Sequence, residues 1–269
     1  METYVYAVQQ IRQLRGGSQP QLFRASDGLY YVIKPQNNPQ HVRVLANEML
    51  ATRLGLLLGL PLPSVQPIEV SDWLIEQTPA LRIKLIDSST PWKAGMHQAS
   101  RYIGHPTKGW VFDYLPDAAL GQLDNLRDFA RVLVLDRWTS NVDGRQAVFS
   151  RREACQRYAA TFVDQGYCFN GGEWTFADTP LRGVYGKNCV YEHVTGWDAF
   201  EPTITRAEQM NIDHIWRIAA EIPEEWYEFD NAGLNWLAET LYKRRSRIRE
   251  LITTFRTSSR NPFPNWVTD

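Results

Sequence analysis

The chain has 269 residues, of which 43 % are hydrophobic and 22 % charged, and its formal net charge is −1. A chain of this length and composition can bury a sizeable core, as one large domain or as two joined lobes. The balanced charge excludes the broad basic field typical of nucleic-acid binders, and the longest apolar run, Leu54 to Leu62, is far shorter than the ~20 residues that span a bilayer.

The first part of the chain is rich in predicted strands. Tyr4 to Leu14 predicts a strand or a short helix, and a flexible turn of Gly16, Gly17, Ser18 and Gln19 follows it. Two apolar runs on either side of Asp27-Gly28 predict a β-hairpin, and Lys34 closes its second strand. A helix is expected from about Gln40 to Leu58, since Gly59 is a typical C-terminal residue.

Beyond this helix the pattern changes twice. Short strands are predicted at 65–70, 73–77 and 81–86, and residues 87–116 are expected to be largely irregular, with one strand or hinge segment at 110–115. The second part is predicted to be helical at 125–135, 206–220 and 232–255, because apolar residues recur there at spacings of three, four and seven. The long Gly-rich connection at 167–203 is typical of a functional loop or lid.

Carboxylates and amides cluster between the predicted helix at 125–135 and the Gly-rich connection. Asp136, Asn141, Asp143 and Gln146 follow one apolar run, and Asp164 ends the next. Any one of these residues is explained by turn chemistry, since Asp and Asn are common in turns. Two acidic ends together favour a site for Mg²⁺ and a bound phosphate, because Mg²⁺ prefers carboxylate and amide oxygens.

Two further features lie in the strand-rich part. Glu48 falls on a mostly apolar face of the predicted helix, so its carboxylate needs a cationic partner, and Lys34 is the nearest cation. The backbone N–H groups of Gly16, Gly17, Ser18 and Gln19 could cradle phosphates. A Gly-rich turn, a strand Lys, a helix Glu, an Asp–amide loop and a strand-end Asp occur here in the order used by kinase folds.

Several segments resemble the HipA-like kinases. Val-Ile-Lys34-Pro and the helix segment with Asn47-Glu48 are similar to the family's strand Lys and Asn-Glu helix. Gly17-Ser-Gln19-Pro resembles its phosphate loop, Asn141-Val-Asp143-Gly-Arg its catalytic loop, and Phe162-Val-Asp164 its metal-binding strand end. The resemblance extends from Gln10 to Phe255.

The resemblance implies an α+β, bilobal protein-kinase-like fold, with a β-rich N-lobe at 1–116 and an α-rich C-lobe at 117–269. It implies ATP and Mg²⁺ as cofactors. In such a site Lys34 holds the α- and β-phosphates, Glu48 orients Lys34, and Asp143 positions the acceptor hydroxyl. Asp164 binds Mg²⁺ with help from Gln146 or Asn141. The expected reaction is transfer of the γ-phosphoryl group to a Ser or Thr hydroxyl of a protein substrate.

The sequence departs from the family pattern where a second metal-binding amide is expected, because that position is Val148. Gln146 could take this role. A second register is also open, in which Asp136 is the catalytic Asp and Asn141 its amide; we prefer Asp143 because its surroundings match the family loop more closely. The departure leaves a pseudokinase as an alternative, a nucleotide-binding module that acts through partners. A Mg²⁺-dependent phosphohydrolase would leave Lys34 and Glu48 unexplained.

The location and the partners of the protein are predicted from the N-terminal sequence, the cysteines and the family resemblance. The N-terminus has no basic and apolar segment of the signal-peptide type, and three cysteines without metal-ligand spacing favour a reducing compartment, so we expect a cytoplasmic protein. An antitoxin-like partner is implied by the resemblance, no membrane is expected, and the sequence has no strong nucleic-acid signal. The basic run from Lys243 to Arg249 is interpreted as a solvated helix face, or otherwise as a docking site for an acidic partner or a nucleic acid.

Overall fold

The computed structural model describes residues 5–107, 110–151, 153 and 156–267. Tyr4 and Cys155, which entered the sequence predictions, lie outside these residues. The strands are β1 (Ala7–Gln13), β2 (Gln21–Ala25), β3 (Tyr30–Lys34), β4 (Val65–Val70), β5 (Arg82–Lys84), β6 (Ser89–Pro91), β7 (Gly95–Arg101), β8 (Trp110–Phe112), β9 (Gln146–Arg151) and β10 (Ala159–Val163).

The N-terminal part is built on an antiparallel sheet of five strands in the order β1-β2-β3-β7-β4, and β5 pairs with β6 in a separate small hairpin. The predicted hairpin of β2 and β3 is present, with Gly28 at φ +78° in its turn. β7 lies between β3 and β4, in a stretch expected to be irregular. The sequence does not predict this strand, because His97 and Gln98, both fully buried, interrupt the apolar pattern.

The helices are α1 (Arg43–Leu57), α2 (Asp72–Gln77), α3 (Asp117–Leu120), α4 (Asp128–Trp138), α5 (Thr203–Glu208), α6 (Ile212–Ala219), α7 (Asn231–Arg244) and α8 (Ile248–Arg256). The strand predicted at 73–77 is wrong, because this segment is α2. The Ser71 hydroxyl accepts a hydrogen bond from the Leu74 N–H and caps the helix at its start.

The predicted helices of the second part are each interrupted. The segment at 206–220 forms α5 and α6, separated at Gln209–Asn211, and the segment at 232–255 forms α7 and α8, joined by a 3-10 turn at Arg245–Arg247. The sheet order β10-β9-β8 adds three antiparallel strands to this part. The chain therefore has a β-sheet N-terminal part and a helical C-terminal part; the division at residue 116 stays a prediction.

α1 joins the two parts. Its buried apolar residues belong to the large core that continues through α4, α7 and α8, whereas a second core lies on the other face of the five-stranded sheet. A side chain at Gly55 would come 2.2 Å from Leu62 and 2.9 Å from Leu135, so Gly55 allows α1 to approach α4 closely. Among the described residues, no helix has both the length and the apolar character needed to cross a bilayer.

Candidate functional site

The side chain of Lys34 links two carboxylates that are far apart in the sequence. Its Nζ lies 2.7 Å from Oε2 of Glu48 on α1 and 2.8 Å from Oδ1 of Asp164, which directly follows β10. Lys34 and Glu48 are buried, and the Asp164 side chain is 31 % exposed. The pair expected from the buried position of Glu48 is therefore present, and the same ammonium group also reaches the strand-end carboxylate.

The charges of this cluster shift the pKa values of Lys34 and Asp164. Burial alone would lower the pKa of Lys34, but the charges and hydrogen bonds of Asp164 and Glu48 raise it above its ordinary value. The Lys34 ammonium lowers the pKa of Asp164 below its ordinary value, against the opposing effect of burial. At neutral pH Lys34 and Asp164 are therefore both charged.

Asp143 and Gln146 lie on the other side of Asp164. Asp143 is exposed on the loop between α4 and β9, not at the end of a strand, and its Oδ1 accepts the N–H of Gly144 at 2.8 Å. Gln146 begins β9, opposite Val163 on β10, so its amide reaches the residue after that strand. Its Nε2 donates to Asp164 Oδ2 at 3.1 Å and lies 3.5 Å from Asp143 Oδ2. The amide thus bridges the two candidate acidic residues.

Asp136 has a different environment. It is 1 % exposed at the end of α4, and Arg145 donates to it through Nε, at 3.1 Å from each carboxylate oxygen, and through Nη2. Asn141 Nδ2 also donates to Asp136, at 2.9 Å, and Asn141 Oδ1 accepts the Asp143 N–H at 3.1 Å. Both ends of the Asn141 amide are therefore engaged in hydrogen bonds, so neither end is turned towards a metal ion. Asp136 holds the loop in place through its hydrogen bonds with Asn141 and Arg145.

The Gly-rich turn lies at the Lys34 end of the sheet, since Gln21 on β2 pairs with Ile33 on β3. Gly16, Gly17, Ser18 and Gln19 all belong to this turn, and the Gln19 N–H donates to the Gly16 carbonyl at 3.0 Å. Ser18 is 5 % exposed. Gln19 forms two hydrogen bonds with the backbone of Lys84 on β5. The Gln19 Nε2 donates to the Lys84 carbonyl at 2.6 Å, and the Lys84 N–H donates to Gln19 Oε1 at 2.9 Å. The Gln19 side chain therefore fixes the turn to the small hairpin.

Asn47, which the sequence placed beside Glu48 without a role, holds the loop after Asp164. It is fully buried, and its Nδ2 donates to the carbonyls of Gly166, Cys168 and Gly171 at 2.9, 3.1 and 2.8 Å. Its Oδ1 accepts the Trp174 Nε1–H at 2.7 Å. A polar residue in the middle of an otherwise apolar helix face is the signal that could have identified it, because buried amides are hydrogen-bonded.

Whether Mg²⁺ fits here depends on the donor set. Asp143 and Asp164 supply two carboxylates, and the Gln146 side chain that bridges them adds an amide oxygen. Among the described residues, no group of three or more His, Cys, Asp or Glu side chains is placed to hold a metal ion by itself. The Asp143 and Asp164 carboxylates suit Mg²⁺, which commonly binds one or two protein carboxylates and takes its other ligands from water and substrate phosphates.

Comparison with protein families identifies a family for this sequence. The family model of the HipA-like kinases matches residues 7–150, a stretch that includes Lys34, Glu48, Asp143 and Gln146 and ends before Asp164. No curated protein matches the sequence at a significant level.

Solved structures of kinases resemble the whole chain. Golgi casein kinase superposes with a TM-score of 0.58 at 10 % identity, over 94 % of this chain and 74 % of that one. The same kinase with Mn/ADP bound gives 0.51 at 11 % identity, over 93 % and 73 %. The Helicobacter pylori proinflammatory kinase CtkA gives 0.52 at 13 % identity, over 91 % and 97 %. These similarities confirm the predicted kinase-like fold.

Proposed function

The chain belongs to the HipA-like kinase family, and we propose that it transfers the γ-phosphoryl group of ATP, with Mg²⁺, to a Ser or Thr hydroxyl of a protein. The observation that carries this proposal is the meeting of Lys34, Glu48 and Asp164 through one ammonium group, with Asp143 bridged to Asp164 by Gln146. A phosphohydrolase that needs only carboxylates would not require the buried Lys34–Glu48 pair.

Each side chain has a proposed task that its contacts support. Lys34 has three N–H donors, and two are used by Glu48 and Asp164, so one is left for a phosphate oxygen. Glu48 sets the direction of the Lys34 side chain and also accepts the Gln165 N–H at 3.0 Å. Asp164 and Gln146 would hold Mg²⁺, whose charge offsets that of the phosphates and of the transition state.

Asp143 would accept a hydrogen bond from the acceptor hydroxyl and orient it towards the γ-phosphate. Its exposure gives a substrate access. The Asp143 N–H donates to Asn141 Oδ1, and the Asp143 carboxylate accepts the Gly144 N–H, so both the backbone and the side chain are held in place. Burial and complete engagement of Asp136 argue against the second register. Autophosphorylation at Ser18 would require the Gly-rich turn to open, because the residue is buried.

The test is incubation with γ-labelled ATP and Mg²⁺, followed by detection of labelled protein. Asp143→Asn should reduce labelling by about 10²–10⁴-fold, the range typical for loss of a positioned acid–base group. Asp164→Asn should also reduce labelling strongly, because it removes a proposed Mg²⁺ ligand. Asp124→Asn, an exposed carboxylate outside the cleft, is the matched control and should keep the full rate. Unchanged labelling in either cleft variant would contradict the assigned roles.

A pseudokinase is the second candidate, favoured by one observation. The position of the family's second amide is Val148, a partly buried residue of β9 that cannot bind a metal. ATP-dependent thermal stabilisation without label transfer would support this alternative, and release of free phosphate alone would support a hydrolase. Membership of the family also suggests an antitoxin-like partner, and the unpaired Cys168 and Cys189 suit a cytoplasmic location; both stay predictions.

A further inference from the structure

The Gly-rich connection after Asp164 is folded against the catalytic loop, here defined as residues 139–145. The Ser140 hydroxyl donates to the Ala177 carbonyl at 3.1 Å, and the Arg145 N–H donates to the Val184 carbonyl at 3.1 Å. Gly183 has φ +65°, and a side chain there would come 2.1 Å from the Asn141 carbonyl oxygen. Residues 177–184, called the flanking segment below, therefore form one wall of the catalytic loop.

One carboxylate of the flanking segment is bound by two arginines from the end of the chain. Asp178 accepts hydrogen bonds from Arg244, at 2.6 Å to Oδ1 and 3.2 Å to Oδ2, and from Arg247, at 3.1 Å to Oδ2. Burial alone would raise the pKa of Asp178, but the hydrogen bonds and charges of these arginines lower it. A third arginine, Arg137 on α4, donates to the backbone carbonyls of the neighbouring residues Thr179, Pro180 and Arg182.

Arg244 connects this carboxylate to the start of the catalytic loop. Its side chain is 6 % exposed, its Nε donates to the Trp138 carbonyl at 3.1 Å, and its Nη2 donates to the Arg137 carbonyl at 3.2 Å. These are carbonyls at the C-terminal end of α4, where the helix dipole favours a cation. One buried guanidinium thus holds both the end of α4 and the flanking segment.

The cluster depends on the charge of Asp178. Arg137 and Arg244 are both buried, and Arg247 is beside them, so three guanidinium groups meet. Glu250 pairs with Arg247 on the outer side of the cluster, and Asp136 is engaged by Arg145. A buried cation whose carboxylate is removed is strongly unfavourable. Within the part of the chain that the structure describes, loss of Asp178 would therefore leave Arg244 buried without a carboxylate partner.

From these contacts we infer that Asp178 is a positioning residue for phosphoryl transfer: its carboxylate holds the flanking segment against the catalytic loop through Arg244 and Arg247. This inference rests on the proposed kinase function. A phosphorylated side chain can order such a segment by binding arginines. Here an encoded carboxylate occupies an arginine cluster of that kind, so the ordered arrangement needs no modification of the segment.

The first experiment compares Asp178→Asn with wild type. The rate of phosphoryl transfer should fall about 10–100-fold, because small misplacement of catalytic groups has effects of this size. Hydrogen exchange of the backbone amides in 177–184 should accelerate. The affinity for Mg-ADP should stay within about twofold, because Lys34 and Asp164 bind Glu48, Gln146 and each other rather than Asp178. Asp178→Glu should restore part of both the rate and the protection, which a merely structural defect would not predict.

Two further variants keep the result interpretable. Asp198→Asn changes an exposed carboxylate on the same Gly-rich connection and should leave all three measurements unchanged. Arg247→Gln removes only the half-exposed partner of Asp178 and should give a smaller loss, which provides a folded variant if Asp178→Asn does not fold. Wild-type rate and exchange in both Asp178→Asn and Arg247→Gln would overturn the inference.

A final measurement concerns modification. Protein treated with a phosphatase, and shown by mass to carry no phosphate, should keep its protection in 177–184, and loss of protection would overturn the inference. Absence of phosphoryl transfer by the wild-type protein would refute the proposed function instead. The exchange data would then still decide whether Asp178 orders the flanking segment, because they do not depend on activity.

Discussion

The two possible catalytic registers can be separated by comparing Asp136→Asn with Asp143→Asn. Asp136 is 1 % exposed and Arg145 is 3 % exposed, so the substitution leaves a buried guanidinium without its carboxylate. Breaking a buried ion pair in this way costs about 3–5 kcal/mol. At roughly 2–4 °C per kcal/mol for a chain of comparable size, the unfolding midpoint should fall by about 6–20 °C.

Asp143→Asn should have the opposite profile. Asp143 is exposed, and an exposed substitution of this kind changes stability by no more than about 0.5 kcal/mol. Its unfolding midpoint should therefore match wild type while labelling by γ-labelled ATP is lost. The assay is thermal or urea unfolding of each variant beside a labelling time course, with Asp136→Asn assayed at a temperature at which it is folded.

A double variant sharpens the comparison. Asp136→Leu with Arg145→Met removes both charges and should recover much of the stability lost in Asp136→Asn, because a buried pair contributes little net stability over apolar replacements. The reasoning is refuted if Asp136→Asn keeps the wild-type midpoint and loses labelling while Asp143→Asn keeps labelling. That result would assign catalysis to Asp136 and Asn141.

Three further predictions concern the surroundings of the cleft. Asn47→Ala leaves three buried carbonyls without their donor, and each carbonyl that stays unsatisfied costs about 1–3 kcal/mol. The unfolding midpoint should therefore fall, and the labelling assay should require more Mg²⁺. Burial lowers the pKa of His97 from 6.5 to about 4, so between these values the unfolded chain binds a proton that the folded chain does not. The contribution of His97 to the free energy of unfolding is therefore fully present above about pH 6.5, and the free energy should fall by about 2 kcal/mol at pH 5. Urea unfolding at the two pH values checks this, and His97→Gln should remove this part of the difference. Gln19→Leu removes both hydrogen bonds to Lys84, so exchange of the Lys84 amide should accelerate about tenfold or more in nucleotide-free protein; unchanged exchange would contradict the bracing role of Gln19.

Local patterns in the sequence were sufficient where one residue needed one partner. Glu48 on an apolar helix face required a cation, and Lys34 at the end of a strand was near enough to supply it. The hairpin turn at Asp27-Gly28 is fixed by its own backbone requirement. Gln146 was identified because it lies three residues after Asp143, and its reach to Asp164 follows from the pairing of β9 with β10.

Residues whose partners come from distant segments were not predictable in this way. The basic run from Lys243 to Arg249 was interpreted as a solvated helix face, yet Arg244 is 5 % exposed and bound to Asp178, and Arg249 pairs with Glu201 and Glu208. The helical spacing places Arg244 on the buried face of α7, three residues after Leu241, but it does not identify Asp178 as the partner of Arg244. The same limit applies to β7, whose buried His97 satisfies both ring nitrogens, one with the Gln36 N–H and one with the Lys93 carbonyl.

The conformation of Asp164 shows why the site needs both parts of the chain. Its φ is +64°, a left-handed conformation that is unfavourable by roughly 1–2 kcal/mol for most residues other than Gly, and by less for Asp. Three hydrogen bonds fix the backbone around it: Arg145 Nη1 to the Val163 carbonyl at 2.9 Å, the Gln165 N–H to Glu48, and Asn47 to the Gly166 carbonyl. Glu48 and Asn47 come from α1, whereas Arg145 comes from the catalytic loop, and it is held there by Asp136. A shift of α1 away from the C-terminal part would therefore break two of these three hydrogen bonds together with the Lys34–Glu48 pair, so α1 positions the Lys34 and Asp164 side of the candidate site.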